Sequence, residues 1–484
     1  MSLINVQNFT FSYDGGYRNI FENVSFRINT DWKLGFVGRN GKGKTTFLNA
    51  LSGKLDSKGA ITSNVAFTYF PFEVADKTRL SIEIMNEVCP AEGWEIIREL
   101  SALGMDAETL YRPFETLSDG ERTKLLLAGL FLSDGFPLID EPTNHLDAEG
   151  RNTVSAYLKK KRGFIIVSHD REFLDGCTDH ILALNRNDIE VQSGNFSSWF
   201  ENFTKRRISE ETRNEKLQKD ISRLRESARR TAVWADKTEA SKKGAVDKGF
   251  VGHKAAKMMK HAKTVEARQY KAIEEKSALL KNAETSERLK LFPLPFHSEK
   301  LVACAQTSVV YGGKQAFAPV SFELLRGERI ALAGRNGCGK SSLMKLIAGE
   351  KLDYTGKLTL PSGLIISYLP QTAEHLFGDL TEYSKEQGLD DSLFKAILSK
   401  LDLTKEHFGC DIANLSEGQK KKILIASSLC RKAHLYVWDE PLNYIDLFSR
   451  IQIENLIKEF KPSMLFAEHD GAFRREIATR IIEM

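Results

Sequence analysis

Two stretches of this chain carry the same phosphate chemistry. Gly38-Arg-Asn40-Gly41-Lys-Gly43-Lys44-Thr45 and Gly334-Arg-Asn336-Gly337-Cys-Gly339-Lys340-Ser341 both fit the pattern G-x-x-x-x-G-K-[ST]. Glycines at these spacings let successive backbone N–H groups close around phosphate oxygens, and a helix N-terminus behind them favours the negative charge. Lys44 and Lys340 are placed to reach β- and γ-phosphates, with Thr45 and Ser341 as hydroxyl ligands of Mg²⁺ and Thr46 and Ser342 directly behind. A second shared feature is an acidic pair, Asp140-Glu141 and Asp439-Glu440, each ending an apolar run and followed by proline. Carboxylates at the end of a buried strand are costly unless they serve a cation. Asp140 and Asp439 therefore suit the metal, and Glu141 and Glu440 suit the positioning or deprotonation of an attacking water. A third pair, His169 and His469, follows 28 or 29 residues beyond the acids and reads as a γ-phosphate sensor.

These residues need strands to hold them and helices to close behind them. Each glycine-rich loop follows a short apolar run, 34–37 or 330–333, and leads into a helix-like stretch, 46–51 or 342–347. Strand, loop and helix in that order are the context that distinguishes a phosphate loop from a chance match. The same motifs recur in the same order in both halves, so the chain contains an internal repeat.

The residues between the phosphate loops and the acidic pairs make the pattern more specific. Leu117-Ser118-Asp119-Gly120-Glu121 and Leu415-Ser416-Glu417-Gly418-Gln419 resemble the LSGGQ signature of ATP-binding-cassette (ABC) ATPases. The resemblance implies an α/β fold of two ABC-type P-loop nucleotide-binding domains, with Tyr13 and Tyr311 stacking on adenine. It further implies a head-to-tail cassette dimer within one monomeric chain. The first loop would hold ATP against Ser416 and Gly418, the second against Ser118 and Gly120. Within the superfamily the layout is similar to the ABC-F group: two cassettes, no transmembrane domain, and a charged linker. Pro142-Thr-Asn-His-Leu-Asp147 matches a sequence common in that group. The position implied for a metal-ligating glutamine is Gln371 in the second half but Phe72 in the first. Phenylalanine neither ligates Mg²⁺ nor orients water, so unequal sites are expected.

The middle of the chain is different in kind. From Lys205 to Lys290 there are 24 Lys/Arg against 13 Asp/Glu, while the remainder carries 45 against 52. A basic middle between mildly acidic ends points to a polyanionic partner; the alternative is a solvated helical face. Leu217, Ile221, Leu224 and Ala228 recur at spacings of four and three, which predicts one helix over 205–237 with a narrow apolar seam. A second helical segment is expected over 255–283, with a glycine-rich tip between them at 242–252. Lys242, Lys243, Lys248, Phe250, His253, Lys254 and Lys257 place cations and aromatic groups at this tip, a combination suited to structured RNA. The expected domains are residues 1–200, a basic helical hairpin over 201–297, and residues 298–484.

No apolar run is long enough to span a membrane, no leader is evident at the N-terminus, and six cysteines lack any C-x-x-C pairing. These features predict a cytoplasmic protein with reduced thiols and neither a membrane nor a transmembrane partner. The tip sequence resembles the Lsa/Vga-like antibiotic-resistance branch of ABC-F, as does the short interval of 45 positions from Phe72 to Leu117. No tail is expected beyond Met484. That resemblance implies an ATPase, using ATP and Mg²⁺, that binds the bacterial ribosome, contacting ribosomal RNA and P-site tRNA. It would act near the peptidyl-transferase centre to displace lincosamides, streptogramin A compounds or pleuromutilins. The alternatives are a translation factor that rescues stalled ribosomes and the ATPase component of an efflux transporter.

Overall fold

The computed structural model describes residues 2–13, 19–144, 146–185, 188–240, 264, 268, 289–335, 337–373, 376–403 and 405–484. Asn336, the whole predicted tip (Lys242, Lys243, Lys248, Phe250, His253, Lys254 and Lys257) and nearly all of the second linker segment lie outside the described residues.

Each half builds the same two layers. In the first, parallel strands Phe67–Phe70, Phe136–Asp140, Phe164–Val167, Lys33–Val37 and His180–Leu184 lie side by side, with antiparallel Ile189–Ser193 at the edge. In the second, the parallel order is Ile366–Leu369, Leu435–Asp439, Met464–Ala467, Arg329–Ala333 and Arg480–Glu483. These strands are near-continuous apolar runs because helices cover both faces of a parallel sheet. Lys33–Val37 and Arg329–Ala333 each lie one strand away from the acidic strand, with Phe164–Val167 or Met464–Ala467 between, so the phosphate loop, the acidic pair and the histidine segment leave the parallel sheet at the same end. An antiparallel sheet accompanies each, built on Leu3–Phe11 in the first half and Lys300–Tyr311 in the second.

The helices behind the phosphate loops run Lys44–Leu51 and Lys340–Ile347, starting two residues before the expected stretches. Phe47 fixes the first of them by packing its ring 5.6 Å from Phe9, 5.8 Å from Phe21 and 5.6 Å from Phe36, centroid to centroid. The signature serines begin the helices Asp119–Leu132 and Glu417–Cys430 as N-caps. Ser118 and Ser416 each accept from the backbone N–H three residues on, and Glu121 and Gln419 reach back to close a capping box.

A buried ion pair near the signature helix underlies the second half. Lys422 Nζ donates to Asp446 Oδ2 at 2.9 Å, with both side chains almost fully enclosed. Asp446 also caps the helix Leu447–Phe460 by accepting from Ser449. Burial pushes the Asp446 carboxyl up, but the charge and hydrogen bond of Lys422 outweigh it and hold the group below its ordinary value of 3.8. A carboxylate held low adds stability at neutral pH and loses that contribution as pH falls through the ordinary value and below it. Lys422→Met leaves this carboxylate buried and uncompensated, so it should cost about 3–5 kcal/mol in urea unfolding at pH 7. The loss should shrink below about pH 4, where the unfolded carboxyl is already protonated; a loss that is independent of pH would show the pair is not responsible.

By packing, the chain falls into two compact units, Met1–Trp199 with Arg288–Met484, and Phe200–Glu287. Leu289, Leu291 and Phe296 are buried in the cores of the second cassette, which is why the second boundary falls at Arg288. The linker helix runs Phe196–Ala240, longer at its start than the expected 205–237. Its first turn is aromatic rather than charged, and Phe196 and Trp199 are buried, so the helix begins inside the apolar core before the charged pattern appears. At 1.5 Å per residue its 45 residues reach about 68 Å. Ile221 is buried, Leu217 and Leu224 are half-buried and their flanking residues mostly exposed, so the seam expected from the spacing is present over these positions.

Candidate functional site

The two glycine-rich loops curl as phosphate cradles. Gly43 and Gly339 sit at φ 101° and 91°, and a Cβ at either would strike Ile20 or Phe317, so only glycine allows the turn into the helix. Lys44 Nζ donates to the carbonyls of Gly38 at 2.8 Å and Arg39 at 3.2 Å and to Asn40 Oδ1 at 3.2 Å. Lys340 Nζ donates to Gly334 and Arg335 carbonyls, both at 2.9 Å. Each ammonium thus spans its own loop. Tyr13 and Tyr311 are half exposed beside these loops, their hydroxyls 2.9 Å from Thr46 Oγ1 and 3.2 Å from Ser342 Oγ, and the Tyr13 ring packs against Phe11 at 5.1 Å between centroids.

Residues of both halves meet around each loop. Asn40 Nδ2 donates to the Tyr444 carbonyl at 3.0 Å, and a Cβ on Gly418 would lie 2.6 Å from that same oxygen. Gly418 is therefore held against the first phosphate loop by a contact no larger residue permits. Arg39 pairs with Asp402, Arg171 with Glu454, and Glu172 with Arg475, each across the two halves. Around the second loop, Ser118, Gly120, Gly337, Gly339, Lys340, Ser341, Ser342, Gln371, Glu440 and His469 line one cavity of about 960 Å³. Asn144, Leu146 and Asp147 line it as well. These three residues belong to the segment 142–147 matched in the sequence, which gave no sign that it lines the opposite site; only the meeting of the two halves brings it there.

The acidic groups differ between the two sites. Asp140 Oδ2 accepts from Thr45 Oγ1 at 2.7 Å and from Tyr69 at 3.0 Å. Both carboxylate oxygens of Asp439 are buried without a hydrogen-bond partner, although Ser341 is near enough to lower the group. Burial pushes Asp439 up to about 6 despite Ser341 and the neighbouring lysines. A buried carboxylate without a donor, beside a serine hydroxyl and Gln371, fits a hard divalent cation that completes its shell with phosphate and water. Among the described residues no group of three or more His, Cys, Asp or Glu is placed to hold a metal ion.

Glu141 and Glu440 share an unusual backbone, φ 48° and 46°, with their N–H groups donating to Val167 and Ala467 carbonyls at 2.9 Å. Left-handed non-glycine residues persist where surrounding structure holds them, and they cluster at working sites. Glu440 is well anchored: Asn443 Nδ2 donates to it at 2.6 Å and His469 Nε2 lies at 3.3 Å. Burial pushes Glu440 up, but hydrogen bonds from His469 and Gln371 hold it down to about 2. Glu141 has no such support. His169 Nε2 lies 3.1 Å away but directs its hydrogen bond to Asn40 Oδ1 at 2.9 Å, and both Glu141 oxygens are orphaned. Burial pushes Glu141 up to about 8, against the opposing charge of Lys44. Burial, with the charges of Lys44 and of Arg450 from the opposite half, keeps His169 neutral. Phe72 stands half-buried where the second half has Gln371.

Known proteins agree with this architecture. The family model described as ABC transporter matches residues 21–144 and 317–443, just over half of the sequence. The chain belongs to that family, and its two cassettes make it an ATP-binding ATPase. It is similar to the ribosome protection protein VmlR of Bacillus subtilis (strain 168), with 27% identity over 481 residues, 96% of this chain and 83% of that protein. It is similar over 99% of its length, at 25% identity, to the uncharacterized ABC transporter ATP-binding protein YfmM of the same organism, 98% of which is covered. Among solved structures, the archaeal ribosome recycling factor aABCE1, in complex with the ribosomal stalk protein aP1, has the same fold. The TM-score is 0.62 at 19% identity, covering 98% of this chain and 87% of that one. No described helix is long and apolar enough to cross a membrane.

Proposed function

We propose that this ATPase is an ABC-F protein of the Lsa/Vga-like branch, which binds the bacterial ribosome with ATP held between its cassettes and displaces antibiotic from the peptidyl-transferase region. The observation that carries the reading is the likeness to a ribosome protection protein running through both cassettes and the segment between them, 96% of this chain. A basic linker with a helix of 45 residues supports it, because such a helix reaches deep into a large RNA assembly while its cations neutralise phosphate. In this scheme Lys44 and Lys340 hold the phosphates, and Thr45 with Asp140 and Ser341 with Asp439 and Gln371 hold Mg²⁺. Glu141 and Glu440 align the water, and His169 and His469 sense the γ-phosphate. Ser118, Gly120, Ser416 and Gly418 close each site from the opposite cassette, so ATP favours the closed state and hydrolysis releases it. Mg²⁺ held by these residues would supply charge to polarise the phosphate oxygens; the chain's own task is to hold the attacking water in line and to exclude the rest.

The test pairs ribosome pelleting with growth. Wild type should co-sediment with ribosomes in ATP, and affinity should fall at least about tenfold between about 50 and 200 mM salt, because several phosphate contacts release counterions. A deletion strain should become sensitive to lincosamides or pleuromutilins. Ribosome binding without any change in drug sensitivity would favour rescue of stalled ribosomes instead. Sedimentation with membranes would favour a transporter engine, and a flat salt profile would remove the linker as the main contact.

A further inference from the structure

The second site contains buried charges that the first lacks. Lys421 lies six residues after Leu415, where the first cassette has Thr123 six residues after Leu117. Glu468 precedes His469, where Ser168 precedes His169. Leu442 follows Glu440-Pro441, where Thr143 follows Glu141-Pro142. In the first cassette these three residues bond locally. Thr123 Oγ1 donates to Asp119 within its own helix at 2.8 Å, and the Thr143 and Ser168 hydroxyls meet at 3.0 Å. In the second, Lys421 is buried and donates to the carbonyls of Pro370 at 2.9 Å, Gln371 at 3.0 Å and Asp439 at 3.2 Å. Glu468 is buried too and accepts from the backbone N–H groups of Leu442 at 3.0 Å, His469 at 2.7 Å and Asp470 at 3.3 Å. Leucine has no hydroxyl to offer, and the longer acid reaches the main chain in its place.

We propose that Lys421 and Glu468 are a compensated pair of buried charges that holds Gln371, Glu440 and His469 in register in the second ATP site. Lys421 ties the signature helix to the segment of Gln371 and to the end of the acidic strand. Glu468 ties the loop after Glu440 to the segment of His469. Each charge makes the other tolerable, since a buried ion without compensation is costly. Asp439, Glu468 and Glu440 are the acids whose fields support the Lys421 ammonium, against the burial that pulls it down to about 8. Asp439 and Glu440 sit in both cassettes as Asp140 and Glu141, so Glu468 is the added acid that answers the added base. Both are positioning residues, because their contacts go to the groups that handle nucleotide and not to the nucleotide.

The inference rests on the ATPase assignment of the second site, and a cycle of substitutions on the full chain tests it. Lys421→Thr and Glu468→Ser each remove one charge; Lys421→Thr/Leu442→Thr/Glu468→Ser installs the whole set of the first cassette. Each single change should lower kcat about ten- to hundredfold, the scale of small misplacements of catalytic groups, with KM for ATP within about threefold. The triple variant should recover to within about threefold of wild type, a coupling expected only of groups that act together. If either single variant fails to fold, Glu468→Gln, Lys421→Met and their combination preserve shape and run the same cycle. Losses that multiply in the combined variant, or a change in KM alone, overturn the pairing. Glu440→Gln measured alongside separates the two ideas. If it lowers turnover about tenfold or more while the cycle is additive, only the pairing fails; if it leaves turnover intact, the assignment of the second site fails.

Discussion

Replacing Glu141 and Glu440 together by glutamine should reduce ATP hydrolysis by at least about a hundredfold, the usual scale for losing a general base, while ATP binding stays within a few-fold of wild type. Both carboxylates stand one residue beyond the acidic strand in a left-handed backbone, tied by their N–H groups to the neighbouring strand. Glutamine keeps that shape and one acceptor, and removes the basic oxygen that aligns or deprotonates water. The phosphate contacts of Lys44 and Lys340 and the carboxylates of Asp140 and Asp439 are untouched, so nucleotide should still draw Ser118 and Ser416 across the two sites. Under the proposed function, the variant should also accumulate on ribosomes, because reopening follows hydrolysis. Phosphate release, equilibrium nucleotide binding and ribosome pelleting measure the three parts. Turnover above a tenth of wild type would remove the general-base role. Normal pelleting with turnover lost would remove the link between hydrolysis and release.

Singly, Glu440→Gln should lower total turnover by about tenfold or more, and Glu141→Gln by no more than about threefold, the gap expected between removing a prepared base and removing an unprepared one. Glu440 is held by Asn443, His469 and Gln371, which favour its ionised form. Glu141 is buried with both oxygens orphaned, and its histidine is turned to Asn40. Phe72 has no polar atom with which to replace the part Gln371 plays. A carboxylate already oriented by side-chain donors is placed to align the water, whereas one without them has still to be positioned. Phe72→Gln gives the complementary measurement: it should raise turnover in the Glu440→Gln background. Equal losses in the two single variants, with no gain from Phe72→Gln, would mean that the sites work alike despite their different surroundings.

Much of this site was legible from local sequence, for a physical reason. Phosphate loops, acidic strand ends and N-capping serines are made by residues close together in the chain, so type and spacing suffice to specify them. The linker seam was legible in the same way, through a helical period. Its true start was not, since Phe196 and Trp199 look like the end of a domain until burial shows that they begin a helix.

The repeat, the paired motifs, the order of the elements and the charge segregation of the middle segment were determined by sequence alone. They depend on covalent neighbours and on periodicities that need no partner. Tertiary structure alone decided which groups face each other across long separations. It set Asn40 against Tyr444 and Gly418, and brought Asn144 and Asp147 to the second cavity. It enclosed Lys422 with Asp446, and left Glu141 orphaned where Glu440 is anchored. The character of a carboxylate depends on its burial and on the donors that reach it. Two glutamates that read identically in the sequence therefore become different chemical groups once the chain has folded.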